Sequence, residues 1–184
     1  MSTLIIDNYD SFVFNVAQAL GDIGGDFEIK RNDDPAILTA DFERAVISPG
    51  PGIPRNAGLL PEFLRRFAAR KKLLGICLGH QAICEFFGAK LARIAPMHGA
   101  QSILKNVAPD PIWRGVEDFR VGRYQSWRVD KHTLPRGLEI IAESGDGEVM
   151  AVRHTKLKIY GFQFHPESFL TPDGSVMLRN FLEL

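Results

Sequence analysis

The chain has 184 residues, of which 45% are hydrophobic and 24% charged, the balance of an ordinary globular protein. Its 22 Lys and Arg residues match 22 Asp and Glu residues, so the zero net charge favours neither nucleic acid nor an anionic membrane as a partner. No apolar run approaches the ~20 residues of a membrane span, and the N-terminal MSTLIIDNYD lacks a signal-peptide pattern. We therefore expect a cytoplasmic chain that forms one domain over residues 1–184.

The first half of the chain alternates apolar runs with helical patterns. Strands are predicted at residues 3–7, 26–30, 44–48 and 72–76, and helices at 12–20, 59–69 and 79–87. In the second helix the apolar residues recur at i, i+3, i+4 and i+7, which puts them on one face. Strands that alternate with helices indicate a parallel sheet with helices on both faces.

The pattern changes after residue 89. Further strands are predicted at residues 89–93, 101–107, 119–124, 138–144, 148–154 and 158–164, with a turn at the GDG of 145–147 and a closing helix at 174–182. Strands that follow one another in this way are mixed or antiparallel. The predicted fold class is α/β, with a mostly parallel central sheet, helices on both faces and a smaller antiparallel region.

The stretch LLGICLGHQ places Cys77 between Gly75 and Gly79 at the end of an apolar strand. This pattern is typical of a strand–turn–helix nucleophile elbow, in which small neighbours permit the sharp turn. The positive end of the following helix would favour thiolate, and the backbone N–H of Leu78 would be free to bind an oxyanion. A buried structural cysteine in a tight turn would produce the same short motif.

The second cysteine, Cys84, differs from Cys77 because it lies among apolar residues within the predicted helix and is interpreted as core packing. Seven positions of helix separate the two thiols by roughly 10 Å, which no disulfide spans, so both are predicted to be reduced.

A nucleophilic cysteine needs a histidine base, and His165 is the best candidate. It follows an apolar strand that Pro166 terminates, and Glu167 could hold one ring nitrogen while the other faces the thiol. The alternatives are weaker: His80 is expected to pack, His98 to lie in a loop, and His132 and His154 to be solvated.

A second glycine loop, SPGPGIP at residues 48–54, follows another apolar strand. Its prolines restrict φ while Gly50 and Gly52 permit close approach, so the loop is predicted to be rigid and to expose N–H groups. It could complete an oxyanion hole or hold a small polar substrate. A phosphate loop is disfavoured because no Lys-Ser/Thr pair follows.

The motifs DNYDSF, SPGPG, LGICLGHQ, MHG and FQFHPES, in this order and spacing, resemble class I glutamine amidotransferases over nearly the whole chain. The resemblance is strongest to the glutamine amidotransferase subunits of anthranilate and aminodeoxychorismate synthases. It implies a flavodoxin-like fold in which Cys77 attacks the amide of L-glutamine, His165 is the base and Glu167 orients it.

The resemblance also implies a set of substrate-binding residues. The oxyanion would bind the N–H groups of Leu78 and Gly52, the side chain of Gln81 would hold glutamine, and the amino-acid end would contact the following residues: Gly50, Pro51, Gly52, Ser126 and Trp127. One departure is the segment RYQSW, where Gln125 and Trp127 stand in place of the family's usual histidine and leucine. This departure is expected to affect the positioning of the substrate and the coupling to the partner, but not the chemistry.

The resemblance implies a heteromeric complex with a chorismate-binding synthase subunit, to which ammonia is channelled. No metal or other cofactor is expected in this chain, and Mg²⁺ only in the partner. Three questions stay open: whether the product is anthranilate or aminodeoxychorismate, whether the glutaminase is silent in a regulatory subunit, and whether the chain is a free-standing γ-glutamyl hydrolase.

Overall fold

The structure, a computed structural model, describes residues 2–184. The helices are α1 (Phe12–Asp22), α2 (Leu60–Phe67), α3 (Leu78–Phe86) and α4 (Gly174–Glu183). The strands are β1 (Ser2–Asp7), β2 (Asp26–Arg31), β3 (Arg44–Ile47), β4 (Lys72–Ile76), β5 (Leu91–Arg93), β6 (Ala100–Lys105), β7 (Arg120–Arg123), β8 (Trp127–Val129), β9 (Leu138–Ser144), β10 (Val149–His154) and β11 (Ile159–Phe162). Every helix and strand predicted from the sequence is present.

The elements that the sequence analysis missed are short. They are strand β8 and four 3₁₀ helices, at Pro35–Leu38, Pro54–Asn56, Pro111–Trp113 and Lys131–Thr133. Two of these 3₁₀ helices begin at an Asp-Pro pair in which the aspartate, Asp34 or Asp110, accepts the N–H two residues on. That pairing is a recognisable turn signal.

The large sheet has nine strands in the order β2-β1-β3-β4-β11-β10-β9-β6-β7, and β5 pairs with β8 in a second sheet. The five strands from β2 to β11 are parallel, and those from β10 to β7 pair antiparallel. The predicted α/β class is confirmed. The antiparallel strands extend the parallel sheet rather than packing as a separate region, while β5 and β8 stand apart.

Helices cover both faces of the parallel half, as alternation along the strands requires. In β1, Ile5 faces the core formed with α1 and α4, whereas Leu4 and Ile6 face the core formed with α2 and α3. Among residues 2–184, no helix is long and apolar enough to cross a membrane.

The parallel arrangement brings the ends of four strands together. The segments that follow β1, β3, β4 and β11 all leave the sheet at its carboxyl edge, where open α/β sheets place their sites. They carry, in turn, the DNYDSF, SPGPG, CLGHQ and QFHPES motifs. The edge therefore gathers the segments that the sequence analysis singled out.

Candidate active site

Cys77 sits at a sharp turn between β4 and α3. Its backbone has φ 51° and ψ −102°, a conformation that a residue with a side chain rarely adopts. Two hydrogen bonds hold it, from Cys77 N to Phe162 O (2.7 Å) and from Gln81 N to Cys77 O (3.0 Å). The predicted strand–turn–helix geometry is present.

Neither Gly75 nor Gly79 has room for a side chain. A Cβ on Gly75 would lie 2.3 Å from the carbonyl of Gly79, and one on Gly79 would lie 2.3 Å from the carbonyl oxygen of Ile47 in β3. These are backbone atoms that cannot swing aside. The two glycines thus let the first turn of α3 lie directly on the sheet, with Cys77 at the edge.

The second cysteine behaves as predicted. Both thiols are free, and Cys84 is fully buried, with its sulfur 3.9 Å from Nδ1 of His80. Burial raises the pKa of the Cys84 thiol well above its usual range, so this residue stays protonated.

His165 and Glu167 form a buried pair on the same edge. His165 Nδ1 lies 2.7 Å from Glu167 Oε1, and both side chains are almost completely buried. The backbone of His165 is also fixed, because its N–H donates to Gly122 O and its carbonyl accepts from Thr171 Oγ1. Strand β11 ends at Phe162, two residues before the predicted end, and His165 makes an isolated bridge to Gly122 instead.

The environment of His165 favours its protonated form. Burial alone would lower the pKa of His165, but its interactions with Cys77 and Glu167 outweigh burial and raise the pKa to about 10. Its other ring nitrogen, Nε2, is buried and makes no regular hydrogen bond within residues 2–184, which leaves it available for a proton from Cys77. The rings of Phe12 and Tyr124 pack against the imidazole at centroid distances of 5.0 and 4.9 Å.

The other histidines lie away from this site, as expected. The prediction of solvent exposure was wrong for one of them, His154. His80 is fully buried, while His98 and His132 are exposed. His154, predicted to be solvated, is half-buried: its ring packs on Phe87, and its Nδ1 accepts the N–H groups of two residues that follow it, at positions 156 and 157.

Asn8 holds the SPGPG loop in place through two hydrogen bonds to Ser48. The Asn8 side chain donates to Ser48 O (2.8 Å), and its N–H donates to Ser48 Oγ (3.0 Å). Gly50 packs so closely on Asn8 that a Cβ would lie 2.5 Å from that of Asn8, and Gly52 has a φ of 78°. The DNYDSF motif therefore holds the second glycine loop in place. Asp10, rather than Ser11, caps α1 by accepting the N–H of Phe12.

A cavity of about 360 Å³ opens beside the Cys77 sulfur. Its walls include most of the predicted substrate-binding residues, namely Gly50, Pro51, Gly52, Gln81, Ser126 and Trp127, together with Asp10, Arg93, Tyr124 and Gln125. Leu78 does not line it: this side chain is buried in the core with α2 and α3, so only its backbone N–H, at the first turn of α3, could serve the site.

The segment 125–127 is tied to the protein through its carbonyls. Gln125 O accepts Met97 N, Ser126 O accepts Ile94 N, and Trp127 O accepts the side-chain amides of Gln81 and Gln125. The N–H of Ser126 is therefore better placed to bind a ligand than its carbonyl.

Gln125 belongs to a buried polar network. Its Oε1 accepts from Arg123 Nε (3.3 Å) and its Nε2 donates to Glu148 Oε2 (3.4 Å), while Arg123 and Glu148 pair directly. All three side chains are nearly inaccessible to solvent. A neutral glutamine thus bridges a buried ion pair and the Trp127 carbonyl, which is how the chain accommodates its unusual residue at this position.

Residue Gln163 is the main site residue that sequence reasoning missed. It is completely buried, and its Nε2 lies 3.7 Å from the Cys77 sulfur. The available signal was a lone polar residue in the apolar run IYGFQF. The charged residues Asp10 and Arg93 on the cavity wall were missed as well: Asp10 lies in the DNYDSF motif but was given no role at the site, and Arg93 lies in no motif.

An elbow cysteine, a buried His–Glu pair and a glycine loop at one edge of an α/β sheet define a class of protein, the class I glutamine amidotransferases. The chain belongs to that family: its sequence model, "Glutamine amidotransferase class-I", matches residues 4–184.

Three similar curated proteins are named as components of two synthases. The chain is 43% identical over 187 residues to the aminodeoxychorismate/anthranilate synthase component 2 of Bacillus subtilis, covering 98% of this chain and 95% of that protein. It is 44% identical over 193 residues to the anthranilate synthase component 2 of Mycobacterium tuberculosis (99% and 82% covered). It is 41% identical over 186 residues to the aminodeoxychorismate synthase component 2 of Escherichia coli (97% and 98% covered).

Two solved structures show the same fold. One is a putative GMP synthase subunit from Thermoplasma acidophilum, with a TM-score of 0.87, 24% identity and coverage of 100% of this chain and 92% of that one. The other is a glutamine amidotransferase from Thermotoga maritima, with a TM-score of 0.75, 18% identity and coverage of 100% and 96%.

Proposed function

We propose that this chain hydrolyses L-glutamine to glutamate and delivers the ammonia to a chorismate-using synthase subunit. The observation that carries the proposal is the convergence of Cys77, the His165–Glu167 pair and the glutamine-sized cavity at one sheet edge. The names of the similar proteins support the choice of partner.

The chemistry follows from the roles of these groups. His165 Nε2 takes the proton from the Cys77 thiol, and the sulfur attacks the side-chain amide carbon of glutamine. The oxyanion that forms is bound by the N–H groups of Leu78 and Gly52. His165 then gives its proton to the departing ammonia, and water hydrolyses the thioester to release glutamate. Glu167 stabilises the imidazolium throughout. The thiolate is the nucleophile, so no metal or cofactor is needed in this chain.

The cavity wall suits a zwitterionic amino acid. Arg93 offers a cation to the α-carboxylate and Asp10 an anion to the α-ammonium. Gln81 directs its Nε2 into the protein, which turns its Oε1 toward the substrate amide. The N–H of Ser126 and the loop from Gly50 to Gly52 would complete the contacts with the substrate.

For the partner reaction, we propose anthranilate synthesis, with aminodeoxychorismate synthesis as the second candidate. The second candidate is kept because similar proteins of both names lie between 41% and 44% identity. A nucleophilic thiol must stay reduced, which supports a cytoplasmic location.

The test is glutamate release from glutamine in the presence of the synthase subunit, with ammonia incorporation into the product measured in parallel. Cys77→Ala is expected to reduce glutamate release by at least about a thousandfold, since the nucleophile is lost. Cys84→Ala, the matched control at the buried thiol, should keep turnover within about threefold.

Glutamate release by the Cys77→Ala variant at the wild-type rate would overturn the mechanism. An inactive wild-type complex would indicate a silent regulatory subunit. Faster hydrolysis of γ-glutamyl peptides than of glutamine by the isolated chain would indicate a free-standing hydrolase.

A further inference from the structure

A completely buried glutamine amide touches the nucleophile. Gln163 follows β11 by one residue and is 0% exposed. Its Nε2 donates toward Cys77 Sγ at 3.7 Å, and its Oε1 accepts from Gln81 Nε2 at 3.1 Å. Its own N–H is bonded to Met150 O at 2.8 Å, so the residue is fixed at both backbone and side chain.

The direction of these hydrogen bonds is set by a backbone carbonyl. Trp127 O can only accept, and it receives Gln81 Nε2 at 3.0 Å. The same NH₂ group of Gln81 therefore faces Gln163, which must present its carbonyl oxygen there. The remaining end of Gln163, its NH₂ group, is then the end that faces the sulfur.

The sulfur thus lies between one acceptor and one donor. The carbonyl oxygen of Tyr124, at 3.7 Å, can accept a hydrogen bond only while Cys77 is a thiol. The Gln163 amide can donate to the sulfur in either state, and such a bond strengthens when the acceptor becomes an anion. The effect is largest away from water, and Cys77 is only 6% exposed.

We propose that Gln163 is a further catalytic residue, which donates a hydrogen bond to the Cys77 sulfur and stabilises the thiolate that attacks the substrate. Gln81 is its positioning residue, because it fixes which end of the Gln163 amide meets the sulfur. The proposal rests on the proposed function, in which Cys77 is the nucleophile.

Other groups also act on this sulfur, and the test must separate them from Gln163. The titratable and charged residues around Cys77 come from four elements or loops: His165 and Glu167 after β11, Asp10 before α1, Arg93 on β5 and Tyr124 after β7. The ring of His80, on α3, lies against Cys84 and Gly161 instead. All remain in place when only the Gln163 amide is altered.

The measurement is the rate of alkylation of Cys77 by iodoacetamide as a function of pH, on the full chain without glutamine. Gln163→Met keeps the length of the side chain and removes the donor. It should move the midpoint of the curve of alkylation rate against pH upward by about one pH unit. Gln163→Glu places a carboxylate against the sulfur and should move it further. Gln18→Met, at a glutamine on the outer surface of α1, should leave it unchanged.

Steady-state kinetics with the synthase subunit provide the second readout. Gln163 does not line the cavity, so Gln163→Met should lower kcat by about tenfold near pH 7 while KM stays within about twofold. Gln81→Met should raise KM as well as the alkylation midpoint, because Gln81 lines the cavity and also orients Gln163.

An unchanged alkylation midpoint in Gln163→Met would overturn the proposal. If that variant does not fold, Gln81→Met decides, since it disturbs the orientation of the donor without altering Gln163 itself. If the alkylation midpoint of Gln163→Met shifts as expected but the wild type releases no glutamate, the result counts against the proposed function alone.

Discussion

At the scale of single residues, two buried histidines have opposite protonation behaviour. Burial lowers the pKa of His80 to about 3, because no carboxylate compensates and only the backbone of Gly161 opposes the effect. The pKa of His165 is raised to about 10 by Cys77 and Glu167 despite its burial. Of the two, His165 is the one equipped to accept and hold a proton from Cys77.

The neutral state of His80 predicts acid sensitivity. Its folded pKa lies below the unfolded value of about 6.5, so its contribution to stability is complete above pH 6.5 and is lost as pH falls toward 3. At pH 5 the loss is about 2 kcal/mol relative to neutral pH. His80→Asn, which cannot titrate, should show a smaller decrease in unfolding free energy between pH 7 and pH 5.

Urea unfolding at the two pH values measures this difference. His132→Asn, at an exposed histidine, is the control and should retain the wild-type pH dependence. Equal pH dependence for His80→Asn and wild type would contradict this prediction, because it would show that His80 takes up its proton as readily in the folded as in the unfolded protein.

At the scale of elements, the close packing of α3 on β3 and β4 is what places Cys77 at the edge of the sheet. The first turn of α3 lies so close to the sheet that Gly79 meets the Ile47 carbonyl without room for a methyl group. Any side chain there must push α3 away from β3, and the elbow with it.

Gly79→Ala should therefore destabilise the fold by about 3 kcal/mol and slow Cys77 alkylation, because strain from an added carbon cannot be relieved by rotating a side chain. Urea unfolding and iodoacetamide labelling measure the two effects. Gly145→Ala is the matched control, since a Cβ at Gly145 has no atom within 4 Å. A fully stable and reactive Gly79→Ala protein would contradict the packing argument.

At the scale of the whole molecule, the surface beside the His–Glu pair exposes a large apolar side chain. Phe169, two residues after Glu167, is 88% exposed. Phe12 on α1 packs against His165 itself. A partner that covers this face would bury Phe169 and reach the catalytic pair through the same short segment.

We expect the isolated chain to have low glutaminase activity and the synthase subunit to stimulate it. Phe169→Ser should reduce that stimulation by about tenfold, through lost apolar burial, and leave the basal rate unchanged. Titration of glutamate release against the synthase partner measures both quantities. Ile29→Ser, on strand β2 at the edge of the sheet, is the control; an equal loss of stimulation in both variants would argue against this face.

Local pattern predicted the four α-helices and the strands other than the short β8, and it singled out Cys77, His165 and Glu167 as candidates. Strand and helix periodicity reports which side chains are buried, and the turn chemistry at Gly75–Gly79 and at residues 48–54 reports where the chain bends. The roles of Cys77, His165 and Glu167 came from residue types in those turns together with the family resemblance, and the structure brings the three to one sheet edge.

Only the tertiary structure decided which distant residues touch. Cys77 and Gln163 are 86 positions apart, and they meet because β11, which follows the antiparallel strands in the chain, pairs with β4. The Asn8–Ser48 clamp and the ion pair behind Gln125 depend on strand order in the same way. The periodicity of apolar residues shows that a side chain is buried. It does not show which residues that side chain contacts, because strand order is set by the packing of the entire sheet.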